Sequence, residues 1–167
     1  MFKILNISNN HKYLQYIISH TPDARAYIKG GREYPNINGK VEFFQVSDGV
    51  LVLSEINGLP KIKSDNDFFG FHIHSGSDCL GNDGDDFSNA GSHYNPTKMP
   101  HPYHTGDLPV LMSNQGFAFS LFLSDKFSVK EILNKTILIH DNPDDFRTDP
   151  SGNSGKKIAC GKIIARL

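Results

Sequence analysis

Six of the eight histidines in this chain lie between positions 72 and 140: His72, His74, His93, His101, His104 and His140. Three of them share the stretch "HYNPTKMPHPYHTGD" (93–107) with Asp107, at gaps of eight, three and three residues. Two more stand two apart in "FGFHIHS" (69–75). A lone histidine is usually a surface or satisfied core residue. A pair on one strand together with a His-x-x-His-x-x-Asp run points instead to a metal site. Imidazole and carboxylate without thiolate suit zinc, copper, iron or nickel. Three imidazoles and one carboxylate make a closed tetrahedral zinc site. An all-imidazole set suits copper(II), which favours tetragonal geometry. Six histidines and one aspartate can serve one ion or two, and spacing alone does not divide them.

The elements that must position these residues are mostly strands. In "FGFHIHS", Phe69, Phe71 and Ile73 alternate with Gly70, His72 and His74. A strand turns successive side chains to opposite faces, so the apolar three share one face and both histidines the other. Further strands are predicted at 25–29, 40–46, 49–56, 117–123, 136–140 and 157–165, with 69–75 among them. "NGLP", "GNDGDD", "SDK" and "DPSGNSG" supply turn chemistry between strands. A short helix is expected over 10–20, ended before Pro22. Many short strands with long loops imply a β-sandwich or barrel. The loops at 76–110 and 141–156 exceed what connection needs, and such loops often carry function.

Composition bounds the rest. The 167 residues suit one domain able to bury its own core. A formal net charge of -1 gives no basic field for nucleic acid. No apolar run approaches a membrane span, and no signal peptide is recognised at the N-terminus, so a cytoplasmic location is expected. Two cysteines, Cys79 and Cys160, allow one disulfide and exclude a cysteine-rich zinc module. Asn6-Ile7-Ser8 and Asn134-Lys135-Thr136 match the glycosylation sequon, and without a secretory signal they carry no weight.

With these residues in place, the chain resembles the copper/zinc superoxide dismutase family. The resemblance rests on "GFHIH", "AGSHYNP", "HTGDLP", "ILIHDNPDDF" and "GNSGKKIACG", in family order across about residues 25–165. It implies an all-β, eight-stranded Greek-key β-barrel or sandwich of immunoglobulin-like architecture, with long metal-binding loops. The barrel domain would occupy 24–167, after an N-terminal extension over 1–23. The resemblance also divides the ligands. His72, His74 and His140 match copper ligands, and His93 matches the histidine that bridges copper and zinc. His101, His104 and Asp107 match the remaining zinc ligands, with Pro100 and Pro102 stiffening their turn. Asp144 matches an aspartate joining a copper histidine to a zinc histidine, and such carboxylates fix imidazole tautomer and orientation. Cys79 and Cys160 match the family's intrasubunit disulfide. His93 and Lys157 match the groups that serve catalysis.

The implied activity is dismutation of superoxide to oxygen and hydrogen peroxide, an antioxidant reaction run by copper redox cycling beside a structural zinc. The implied partner is the superoxide anion, with no nucleic acid and no membrane, in a monomer or homodimer. Two rivals stand beside this reading. One is a non-enzymatic zinc or copper buffer of the same fold. The other is a metal-dependent hydrolase, disfavoured because the zinc set looks full and no "HExxH" or "GxSxG" pattern occurs. Three departures from the family stand out. The His101–His104 gap is shorter than in the eukaryotic enzymes, and the 141–156 loop is short. Lys157 stands where the family usually has arginine, which keeps the charge and loses the planar fork. The acidic run "DGDD" (83–86) reads as a solvated loop.

Overall fold

The computed structural model of the chain describes residues 12–61 and 67–166. Its strands are β1 (Ala24–Gly30), β2 (Asn38–Val46), β3 (Gly49–Asn57), β4 (Phe68–Phe69), β5 (Phe71–His74), β6 (Leu111–Met112), β7 (Ala118–Ser124), β8 (Thr136–His140) and β9 (Lys157–Ala165). Seven form one antiparallel sheet in the order β5-β8-β9-β1-β2-β3-β7, and β4 pairs with β6. β4 leads into β5 at one edge, and β6 lies against β7 at the other. The small pair therefore spans the gap between the two edges of the curled sheet. With β4 and β5 taken as two halves of one bent strand, this is the expected eight-stranded Greek-key barrel.

The core follows from alternation. Phe69, Phe71 and Ile73 are fully buried among Ala26, Ile28, Val41, Phe43, Val52, Ile137 and Ile139. Burying each large apolar side chain contributes about 1.5–3 kcal/mol. The opposite face of β5 carries His72 and His74, which are equally buried, so one strand serves core and site at once.

The structure corrects the sequence reading in several places. The strand expected over 69–75 is split at Gly70. Its first half pairs with β6 and its second with β8, because the chain passes there from the small pair to the main sheet. β6 was not expected, nor was α2 (Val129–Ile132). Short as it is, α2 is held by Glu131, whose carboxylate accepts from the Ser128 backbone N–H and hydroxyl, each at 2.7 Å. The expected helix over 10–20 is present as α1 (Lys12–Ser19) within the described residues. Lys12 and Tyr13 both donate to Asp48 at 2.7 Å, which sets α1 against the β2–β3 turn. The sequon at Asn6 and the start of the expected extension lie outside the described residues.

Candidate metal centre

The site is built on the edge of β5. The edge of β5 away from β8 is paired with two pieces of the long loop rather than with a strand. Ile73 N–H donates to Gly106 O at 2.9 Å, and Tyr94 N–H donates to Ile73 O at 2.8 Å. Isolated bridges join His74 to His93 and His72 to Asp107. The approach at Gly106 is so close that a Cβ there would lie 2.2 Å from Ile73 O. Glycine at 106 is therefore what brings His93, His104 and Asp107 alongside His72 and His74. His140 enters from β8, where the register with β9 shifts between Ile139 and His140.

The seven residues form two groups sharing His93. In each of the groups His72/His74/His93/His140 and His93/His101/His104/Asp107, one ligand atom per residue lies within 4.8 Å of all the others. All seven are buried. Hydrogen bonds decide which nitrogen of each ring is free. His72 Nε2–H donates to Asp144 Oδ2 at 2.7 Å, leaving Nδ1 free. His74 Nδ1–H donates to Gly91 O at 2.8 Å and His140 Nδ1–H to Gly155 O at 3.3 Å, leaving both Nε2 atoms free. Those two free nitrogens face each other 3.3 Å apart. His101 Nε2–H donates to Asp144 Oδ1 at 2.8 Å, so its Nδ1 points into the second group.

This arrangement fits metal ions. His72 Nδ1, His93 Nε2 and His101 Nδ1 are buried atoms with no hydrogen-bond partner. Such orphans carry a desolvation penalty unless something meets them. His101 Nδ1 lies 3.1 Å from Asp107 Oδ2 without hydrogen-bond alignment, as expected of two donors aimed at a common point. His104 Nδ1 lies 3.4 Å from His93 Nδ1 and 3.3 Å from Asp107 Oδ1. A tetrahedral ion with nitrogen ligands at about 2.0–2.1 Å spaces them about 3.3–3.4 Å apart. His93 Nδ1 and Asp107 Oδ1 are closer, at 2.7 Å, a hydrogen-bond distance.

Electrostatics point the same way. Burial, and then the charges of neighbouring histidines, hold His74 well below its ordinary range and push His140 down to about 3. Burial also lowers His72, against the opposing pull of Asp144. These rings are neutral at pH 7, the form that binds metal. Burial alone would raise the Asp107 carboxyl, and the hydrogen bond from His93 together with the charges of His93, His101 and His104 outweighs it, so Asp107 stays ionised. Asp144 is likewise held low, burial being outweighed by its bonds from His72, Phe146 N–H and His101.

Asp144 thus lies between a ring of each group, bonded to His72 and His101. Cys79 and Cys160 are joined as a disulfide, with Cα atoms 5.7 Å apart. Around the bond, Phe87, Ala90 and Leu138 form a small second core. Lys157 faces His140 across β8 and β9, but its ammonium is taken: it donates to Asp85 Oδ2 at 2.6 Å and to Phe87 O at 3.2 Å. This corrects in part the reading of 83–86 as a solvated loop, in which Asp83 and Gly84 are exposed. Asp85 pairs with Lys157, while Asp86 and Asp83 bind Arg32. The partners stand 72, 54 and 51 residues apart, so no local spacing could have revealed them.

Other positioning residues were also missed. Asp149 Oδ1 accepts from His101 N–H at 2.7 Å, tying the two long loops together. Gly152 packs directly against the Asp144–His101 bond. Lys126 Nζ reaches the carbonyls of Pro102 and His104 at 3.5 and 3.4 Å.

Comparison with known proteins gives a consistent picture. The family described as "Copper/zinc superoxide dismutase (SODC)" matches residues 37–163. Superoxide dismutase (Cu-Zn) 1 of Aquifex aeolicus is 35% identical over 140 residues, covering 75% of this chain and 79% of that protein. The superoxide dismutase (Cu-Zn) of Legionella pneumophila is 36% identical over 133 residues, covering 75% and 76%. The solved Cu/Zn superoxide dismutase from Brucella abortus superposes with a TM-score of 0.70 at 24% identity, over 83% of this chain and 98% of that one, which supports the barrel fold.

Proposed function

The chain belongs to the copper/zinc superoxide dismutase family, and from its own residues we propose that it converts superoxide to oxygen and hydrogen peroxide with one copper and one zinc. The observation that carries this is the shared ring of His93. His93 belongs to both groups of buried residues; its Nδ1 lies beside Asp107 and His104, and its Nε2 is buried with no hydrogen-bond partner. In this reading His72 Nδ1, His74 Nε2, His140 Nε2 and His93 Nε2 would hold copper. His93 Nδ1, His101, His104 and Asp107 would hold zinc. Bound copper would supply one-electron exchange, and bound zinc a fixed positive charge.

The chain's own groups do the rest. Two superoxide anions and two protons yield one oxygen and one hydrogen peroxide, so one anion is oxidised, the other reduced, and protons must reach the reduced one. His93 Nε2 is buried, has no protein partner, and can hold a proton and release it to the reduced species. Its other nitrogen lies against Asp107, so the ring keeps its orientation while Nε2 changes state. Asp144 holds His72 and His101 at once, fixing the two ligand groups relative to each other. Lys157 puts an ammonium beside His140, at the wall of a cleft that opens there. In the same reading the barrel domain begins at residue 24, after an N-terminal segment that includes α1.

The test is metal analysis and superoxide decay on one sample. Protein loaded with both metals should hold one of each per chain and accelerate decay in proportion to bound copper. Zinc alone after copper loading, or full copper without catalysis, would favour a metal-holding protein of the same fold.

A further inference from the structure

A cleft of about 520 Å³ opens beside the metal centre, lined by residues 31–34, 83–86 and 155–158. Its wall touches the centre through Gly155, whose carbonyl accepts from His140, and through Lys157, which faces His140 across the sheet. The three cations lining it are all matched by carboxylates: Arg32 by Asp83 and Asp86, Lys156 by Glu33 at 3.8 Å, and Lys157 by Asp85. The Lys157 pair is the tightest link to the centre. Its side chain is 17% exposed, and Asp85 and the Phe87 carbonyl use two of its three N–H donors.

We propose that Asp85 is a positioning residue that attenuates anion capture: it holds Lys157 in an ion pair at the cleft wall, so an incoming superoxide must compete with a resident carboxylate. The inference rests on the dismutase reading given above. The carboxylate is delivered by a braced loop, not a wandering side chain. Phe87 N–H donates to Asp85 Oδ1 at 2.9 Å. Arg32 fastens the loop through Asp86, Asp83 and the Asn82 carbonyl. The Cys79–Cys160 disulfide joins the same loop to β9, three residues from Lys157. A carboxylate so held is already in place where an anion would bind, and its charge cancels much of the field that Lys157 would send into the cleft.

Asp85→Asn tests this, because the amide keeps the oxygen that accepts from Phe87 and removes the charge and the oxygen that accepts from Lys157. The copper- and zinc-loaded variant should bind azide, a small anion read by the copper absorption band, at least about threefold more tightly than the parent. Its superoxide decay rate per copper at low salt should rise at least about twofold, with a steeper fall as salt is added. In a Lys157→Met background, Asp85→Asn should give a clearly smaller gain in both quantities, because only the long-range effect of one lost negative charge remains. Equal azide affinity and equal salt slope for parent and Asp85→Asn would overturn the proposal, as would a full gain that persists without Lys157. Copper-loaded parent that binds azide but leaves superoxide decay unaccelerated would instead defeat the dismutase reading, while the azide titration would still decide the role of Asp85.

Discussion

Replacing Gly152 by alanine should damage the metal centre through a residue that binds no metal. Gly152 is buried with φ +63°, and a Cβ there would lie 1.9 Å from Asp144 Oδ1 and 2.7 Å from His101 Nε2. Carbon contacts settle at about 3.5–4.0 Å, so one side must give by roughly 1.5 Å. The Asp144 side chain has little room to give. It is fully buried and bonded to His72, His101 and the Phe146 N–H at 2.7, 2.8 and 2.7 Å. Displacing it breaks at least one bond to a ligand ring. Loss of such an orienting partner costs about 10–100-fold in metal affinity, or about 1.4–2.7 kcal/mol. Left-handed backbone at alanine adds about 1–2 kcal/mol to the cost of folding. Chelator competition for zinc and for copper would measure the first effect, and urea unfolding of the metal-free protein the second. The decisive comparison is a cycle with Asp144→Ala. If Gly152 acts through Asp144, the double variant should hold metal about as well as Asp144→Ala alone. Parent-like affinity in Gly152→Ala, or losses that simply add, would refute the reasoning.

Acid should destabilise the metal-free protein. His74 and His140 have folded-state pKa values below the ordinary 6.5, His140 at about 3, so the unfolded chain binds more protons as pH falls below 6.5. Stability present above about pH 6.5 should then be lost toward pH 3, at up to about 1.4 kcal/mol per pH unit for each histidine; a urea midpoint no lower at pH 5.5 than at 7.5 would contradict this. The Cys79–Cys160 bond spans 81 residues, so replacing both by serine should destabilise by up to about 4–5 kcal/mol and loosen the 76–110 loop, visible as faster amide exchange there. Free thiols titrating in the oxidised, denatured protein would show the bond is absent. Asp107→Ala should release zinc and disorder the 93–107 segment while the barrel remains, because ligand binding contributes directly to the order of its loop. Retained zinc with an unchanged melting profile would remove Asp107 from the ligand set.

The parts of the fold legible in the sequence were those governed by local alternation. Phe69, Phe71 and Ile73 against His72 and His74 announced one core face and one site face, and the structure buries both. The long strands β2, β3 and β9 carry enough periodic residues to show themselves. β6 is two residues long and follows Pro109, so periodicity had nothing to work on. α2 left a usable signal, the Ser128-x-x-Glu131 box. The ligand residues were visible as a cluster, but their division into two groups came from family resemblance, since spacing carries no information about which ring nitrogen is free. That depends on Gly91 O, Gly155 O and Asp144, which come from three separate loop positions. The Asp85–Lys157 pair was hidden for the same reason: a charge run looks solvated until folding brings its partner.

The most direct test of the central claim is anomalous X-ray diffraction from crystals of the copper- and zinc-loaded protein, collected at both metal edges. Two separate peaks are expected, one on each side of the His93 ring. The copper peak should lie against His72 Nδ1, His74 Nε2, His140 Nε2 and His93 Nε2, and the zinc peak against His93 Nδ1, His101, His104 and Asp107. A single site, or two ions without His93 between them, would contradict the account.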